Sequence, residues 1–239
     1  MSFAIPAILP SSREDLKGKL AFFAEIPAVD KIQIDVVDGK FAEPASWPYT
    51  APAEIHEMVA RGEMLPHPER VTYEIDMMSV DAEHTAGAWL ALGAARLTFH
   101  AESVVDLPRL LASARKHYGP GADFATGLVS FGVALNFTSD LAFIEPCLGE
   151  VEYVQFMGIA RIGRQGQPFD EGVFEKIRVF RARHPHIPIQ VDGGVSLENA
   201  KKLIALGVTN VVVGSAIARA ENPAVAFAEF EALQNPFGV

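Results

Sequence analysis

A chain of 239 residues with 49% hydrophobic and 21% charged residues, and no low-complexity stretch, has apolar material for one large core; a disordered or fibrous protein is excluded. Its formal charge of −10, with 20 scattered basic residues, excludes a nucleic-acid groove, because a phosphate backbone needs clustered lysines and arginines. The single cysteine, Cys147, excludes an internal disulfide and a thiol-rich zinc site and reads as an ordinary buried residue. Along the chain the hydrophobic period switches repeatedly between strand-like and helical stretches, the pattern of βα units. Strands are predicted over Phe3–Leu9, Lys31–Val36, Val71–Met77, Arg96–Phe99, Gly132–Leu135, Tyr153–Met157, Ile187–Val191 and Asn210–Val213. They are short and rich in Val and Ile, as parallel strands buried on both faces should be. Helices are predicted between them, most clearly over Arg13–Ile26, Ala53–Arg61, Phe169–Arg183 and Leu197–Leu206. The last has Ser196 as N-cap and Gly207 as C-cap; Gly93, Gly207 and the HPHIP stretch sit where helices should stop.

Eight such units in a chain of this length fit one closed (β/α)8 barrel, an α/β TIM barrel of eight parallel strands forming a single domain over residues 1–239. An open doubly wound sheet is the structural rival. It would more often carry a Gly-rich nucleotide loop after its first strand, where this chain has Leu9-Pro10-Ser11-Ser12. The opening MSFAIPAILP lacks a basic region and is broken by Pro6 and Pro10, and no apolar run approaches a membrane span. The expectation is a cytoplasmic protein without a membrane or nucleic-acid partner.

In a barrel the loops after the strands build the site, so polar residues at strand ends are read first. The second strand ends Gln33-Ile34-Asp35-Val36-Val37-Asp38-Gly39, and strand alternation puts Gln33 and Asp35 together toward the axis. A buried acid there needs a partner, a metal or a catalytic task, unless it only caps the Asp38-Gly39 turn. The third strand repeats the spacing with Glu74 and Asp76, one of which could pair with a basic side chain inside the barrel. The fourth puts His100 at the mouth, where it supports a ligand or a neighbouring carboxylate. The seventh strand ends Asp192-Gly193-Gly194 and the eighth Gly214-Ser215-Ala216. Glycines there let main-chain N–H groups approach a phosphate, and a helix starting at Ser215 would turn its positive end to the anion. The partner these features select is a small molecule that carries a phosphate.

On these residues the sequence resembles the ribulose-phosphate 3-epimerase family, within the wider group of ribulose-phosphate-binding barrels. The resemblance runs along nearly the whole chain. It is carried by IDVVDGKF at residues 34–41, TFHAES at 98–103, GVALN at 132–136, GQPF at 166–169, and VDGGVSLENAKKL and VVVGSAI in the final quarter. It implies a (β/α)8 barrel that inverts C3 of ribulose 5-phosphate to give xylulose 5-phosphate through an enediolate, with Asp35 and Asp192 as acid and base. Gly166, Gly193, Gly194, Gly214 and Ser215 would hold the phosphate, and the loop from Gly158 to Pro168 would be a lid.

The resemblance also implies a divalent metal held by two histidines and two aspartates. Those positions here read Gln33, Asp35, Asp76 and Asp192, so both imidazoles are replaced. An amide is a poor ligand for zinc and an added carboxylate favours Mg²⁺ or Mn²⁺; whether any metal binds stays open. A serine of the first strand is Ala7, and a methionine before Asp38 is Val37. The lid carries Arg161 and Arg164 where the family has proline and glycines; they either neutralise the acids and clamp the substrate or are solvated. The rival to an enzyme is a non-catalytic or divergent sugar-phosphate-binding barrel that has lost the metal site. Aldol cleavage or decarboxylation would call for an inward lysine, and Lys31 lies at the wrong end of its strand. The family pairs through barrel surfaces, and no residue selects among monomer, dimer and hexamer for a homo-oligomer.

Overall fold

The computed structural model describes residues 2–119 and 129–234. Eight strands, β1 (Ala4–Ile8), β2 (Lys31–Val37), β3 (Thr72–Met78), β4 (Ala94–His100), β5 (Ser130–Asn136), β6 (Tyr153–Met157), β7 (Ile189–Asp192) and β8 (Asn210–Val213), pair in sequence order into a closed barrel. Every pair is parallel, including the closing β1–β8 pair. The helices are α1 (Arg13–Ala24), α2 (Pro52–Ala60), α3 (Ala82–Ala91), α4 (Leu107–Tyr118), α5 (Gly172–Arg183), α6 (Leu197–Ala205), α7 (Ser215–Ala218) and α8 (Pro223–Ala232). This is the predicted (β/α)8 fold. Among the described residues no helix is long and apolar enough to cross a membrane.

The element ends move for local reasons. β4 begins at Ala94, directly after Gly93 at φ +97°, and ends on His100 rather than before it. β7 begins at Ile189, after a proline that cannot donate to the ladder, and runs on to include Asp192. α5 starts at Gly172 rather than Phe169, because the Asp170 carboxylate accepts from the Gly172 amide and holds the preceding turn. Between β5 and β6 the described residues form no α-helix: two 3₁₀ turns, Leu141–Phe143 and Glu145–Glu150, bridge the gap and bury Cys147. Pro146 and Gly149 weaken helix formation there. The α6 caps match the sequence: Ser196 Oγ accepts from the Asn199 amide, Asn199 Oδ1 accepts from the Ser196 amide, and Gly207 follows at φ +77°.

Strand alternation divides the molecule into two cores. Outward residues such as Ile32, Ile34 and Val36 on β2, Leu97 and Phe99 on β4, and Val154 and Phe156 on β6 join one continuous apolar cluster under the helices. Inward residues are mostly polar: Gln33 and Asp35, Glu74 and Asp76, Thr98 and His100, Gln155, Gln190 and Asp192 are all buried. The β1–β8 side of the interior is apolar, through Ile5, Ala7 and Val212. Room for the large inward ring of Tyr153 comes from its register partner Gly132, where a Cβ would lie 2.2 Å from the tyrosine Cζ.

Candidate active site

The site stands at the C-terminal ends of β2, β3 and β7. Asp35 and Asp76 are register partners on adjacent strands, and Asp192 closes on them across the axis; an oxygen of each lies within 4.8 Å of the others. The expected acid pair is thus brought together. Gln33 sits one inward position below Asp35 and binds both acids, its Nε2 donating to Asp35 Oδ1 at 2.8 Å and to Asp192 Oδ2 at 2.9 Å. His100 Nε2 lies 3.0 Å from Asp76 Oδ1, with both side chains fully buried. It supports a carboxylate, the second of its two predicted roles. Asp38 is a turn residue: Oδ1 accepts from the Lys40 and Phe41 amides and Oδ2 from the Val80 amide.

Burial and mutual repulsion decide the protonation of these acids. Burial, then the charge of Asp76, pushes Asp35 up to about 7, although Gln33 and Gln165 oppose the shift. Asp192 rises well above the carboxylate range through burial and then the charges of Asp35 and Asp76. Burial would lower His100, but the adjacent Asp76 charge and hydrogen bond outweigh it and move the imidazole up, toward its charged form. Both acids of the pair are thus shifted toward holding a proton near neutral pH.

The lower inward acid has a different environment. Glu74 Oε2 accepts from Arg96 Nε at 2.8 Å, while Glu74 Oε1 accepts from Gln190 Nε2 at 2.6 Å, Thr98 Oγ1 at 3.0 Å and the Tyr153 hydroxyl at 3.1 Å. Arg96 also stacks on the Tyr153 ring at 4.0 Å. Glu74 thus takes the basic partner that the sequence left open between it and Asp76.

A cavity of about 250 Å³ opens above the acids, lined by Asp35 and Asp192 together with Gly166, Gly193, Gly194, Gly214 and Ser215. The glycine turns after β7 and β8 therefore share a wall. Gly194, at φ +68°, is pressed so close to the loop above it that a Cβ would lie 2.6 Å from the Phe169 amide nitrogen. The expected helix at Ser215 is a single turn, Ser215–Ala218, too short for an appreciable dipole; the Ile217 and Ala218 amides donate to Gly214 O, so what it offers an anion is the N–H groups of Ser215 and Ala216.

The segment from Gly158 to Pro168 folds over the mouth. Gly158 N donates to Asp192 O at 2.6 Å, and Gln165 Nε2 reaches Ala7 O at 3.3 Å and Asp35 Oδ2 at 3.4 Å. Arg164 lines the cavity and its Nε donates to Glu43 O at 3.1 Å. Arg161 is exposed and not part of the cavity wall. Sequence reasoning missed Gln165 and Arg219. The Arg219 guanidinium lies 3.8 Å from where a Gly166 Cβ would be, at the rim of the glycine wall. A glutamine in a polar loop and an arginine past a short helix carry no pattern that marks them.

The implied metal can be tested against these side chains. Three carboxylates alone are a hard donor set of the kind Mg²⁺ or Mn²⁺ takes, and buried Asp76 Oδ2 has no hydrogen-bond partner among the described residues. Gln33 offers the acids its N–H₂ group, however, while its oxygen accepts from Gln190 Nε2 at 3.2 Å. With no imidazole among the three acids and a donor directed at two of them, the residues do not fit the metal of the resemblance.

The sequence profile of the "Ribulose-phosphate 3 epimerase family" matches residues 4–218. The chloroplastic ribulose-5-phosphate-3-epimerase of Arabidopsis thaliana is 30% identical over 240 residues, covering 98% of this chain and 78% of the relative. The ribulose-phosphate 3-epimerase of Aquifex aeolicus is 27% identical over 195 residues, 79% of this chain and 77% of the relative. Among solved structures, KGPDC from Streptococcus mutans superposes with a TM-score of 0.67 at 15% identity, covering 100% of both chains. The 3-hexulose-6-phosphate synthase of Salmonella typhimurium gives 0.67 at 17%, covering 99% of both. At those identities the structural likeness speaks for the barrel alone. With a profile match that spans β1 to α7, this chain belongs to the ribulose-phosphate 3-epimerase family.

Proposed function

We propose that the protein is a sugar-phosphate isomerase that interconverts ribulose 5-phosphate and xylulose 5-phosphate by proton transfer at C3. The observation that carries this reading is the pair Asp35 and Asp192, bridged by one amide, buried, and both raised in their hold on a proton, on the wall of the cavity that the glycine turns line. Inverting a carbon beside a ketone needs a base on one face and an acid on the other. In the forward step the Asp35 carboxylate takes the C3 proton and the C–H electron pair moves into the C2–C3 bond, placing charge on the C2 oxygen as an enediolate. The Asp192 carboxylic acid then returns a proton to the opposite face of C3, and the carbonyl re-forms. The net change in the protein is one proton moved from Asp192 to Asp35, undone by exchange with solvent or by the reverse reaction. The phosphate sits against Gly166, Gly194, Gly214 and Ser215, with Arg219 as a further cation at the rim, so that binding energy at the phosphate end fixes C3 between the acids.

The names of the sequence relatives support the choice of substrate. The test is incubation with ribulose 5-phosphate in deuterated water, with and without Mn²⁺, following deuterium at C3 by NMR. Exchange together with xylulose 5-phosphate is expected. No exchange in either condition, with calorimetric binding of the sugar phosphate intact, would select the non-catalytic binding barrel instead.

A further inference from the structure

The direction of the hydrogen bonds along the barrel axis has a chemical consequence at the mouth. Arg96 can only donate, both Glu74 oxygens accept, and both residues contact Gln190. Arg96 Nη2 donates to Gln190 Oε1 at 3.4 Å, and Gln190 Nε2 donates to Glu74 Oε1 at 2.6 Å, which fixes which end of that amide is which. Its second hydrogen is shared between the two oxygens the same Nε2 faces, Gln155 Oε1 at 2.8 Å and Gln33 Oε1 at 3.2 Å. The Gln33 oxygen is thereby turned down into the barrel and its N–H₂ group up, toward Asp35 Oδ1 and Asp192 Oδ2. Turning Gln33 over would set N–H₂ against N–H₂ below and its oxygen against the Asp35 carboxylate above, losing these bonds for repulsions in a dry interior. The two hydrogens of Gln33 match two carboxylate oxygens, one each.

We propose that Gln33, oriented by Gln190, Glu74 and Arg96, takes the place between Asp35 and Asp192 that a cation would otherwise occupy, so that this proton-transfer pair works without a divalent metal. The remaining acid, Asp76, has His100 at 3.0 Å beside one of its oxygens. Gln33 is a positioning residue: it touches the acids rather than the reacting carbon. The inference rests on the epimerase reading for its catalytic half only, since the statement about metal affinity concerns the side chains themselves.

Two measurements on the full chain separate the halves. Chelator-treated protein is titrated calorimetrically with MnCl₂ and, separately, with ZnCl₂. No saturable binding is expected below about 1 mM, and the Gln33→His/Asp76→His double variant, which supplies two imidazoles, is expected to gain zinc binding by at least about 100-fold. Saturable binding of either metal by the wild type at micromolar concentration would overturn the proposal, and so would a folded double variant that gains nothing. Should the double variant not fold, the wild-type titration still decides. C3 exchange in excess chelator is expected to stay within about twofold of the untreated rate. Exchange lost to chelator and restored by Mn²⁺ would overturn the proposal while leaving the epimerase reading intact. Absence of exchange under every condition would remove the epimerase reading, and the titration alone would then decide whether Gln33 keeps a metal out.

Discussion

Two acids of β3, two residues apart and both fully buried, live in opposite circumstances. At the floor of the barrel Glu74 accepts four hydrogen bonds, one of them from a guanidinium. At the mouth Asp76 has one imidazole, an oxygen without a partner among the described residues, and two further acids within 4.8 Å. The floor balances its charges, as a structural ion pair must. The mouth is left undercompensated, and that is how a carboxyl comes to hold a proton near neutrality.

The sharpest way to break this contrast is to remove the acid at the mouth. Asp192→Asn should lower C3 exchange by up to about 10⁴-fold while sugar-phosphate binding by calorimetry changes only a few-fold. An active variant would show that the proton pair is wrongly chosen. Removing the floor acid should act on stability: Glu74→Ala leaves the partly buried Arg96 without its carboxylate and three further donors without an acceptor, and should cost about 2–4 kcal/mol in urea unfolding. A loss below about 1 kcal/mol would erase the distinction between the two layers.

Neutralising the mouth should have the opposite sign. Because the native-state pKa of Asp35 is raised from 3.8 to about 7, its contribution to stability is present below the unfolded value and is lost as pH climbs through that interval. Asp35→Asn should therefore be more stable than wild type at pH 8 by about 1–2 kcal/mol, with a smaller gain at pH 4. Thermal unfolding at the two pH values checks it, and equal gains at both would show that burial does not hold the charge at a cost. The smallest effect belongs to Gln165→Ala, which removes a long contact of 3.4 Å to Asp35 and should alter exchange by about threefold at most.

Much of this contrast was legible in the sequence. Two-residue spacing put Gln33 with Asp35 and Glu74 with Asp76 on the inner face, because strand alternation is a fixed period, and the glycines after β7 and β8 marked the cavity wall. What could not be read was which way a side chain is turned. Nothing in a string of letters says that Gln33 presents nitrogen rather than oxygen, since that orientation is settled by Arg96 and Glu74 on other strands. Arg219 and Gln165 were hidden for a similar reason: they reach the site through loop geometry, which has no periodicity. The missing helix between β5 and β6 shows the limit from the other side, where a counted βα unit is satisfied by short 3₁₀ turns.

The bond from Gly158 N to Asp192 O also ties the covering segment to the acid's own strand. The first peptide of the covering segment is hooked onto the main chain of the very residue that would deliver a proton, and Gly158 O in turn accepts from Asp170 N at 2.8 Å at the segment's far root. The bond prolongs the β6–β7 ladder by one residue, so were that flap to swing, its root would pull on the main chain that carries Asp192.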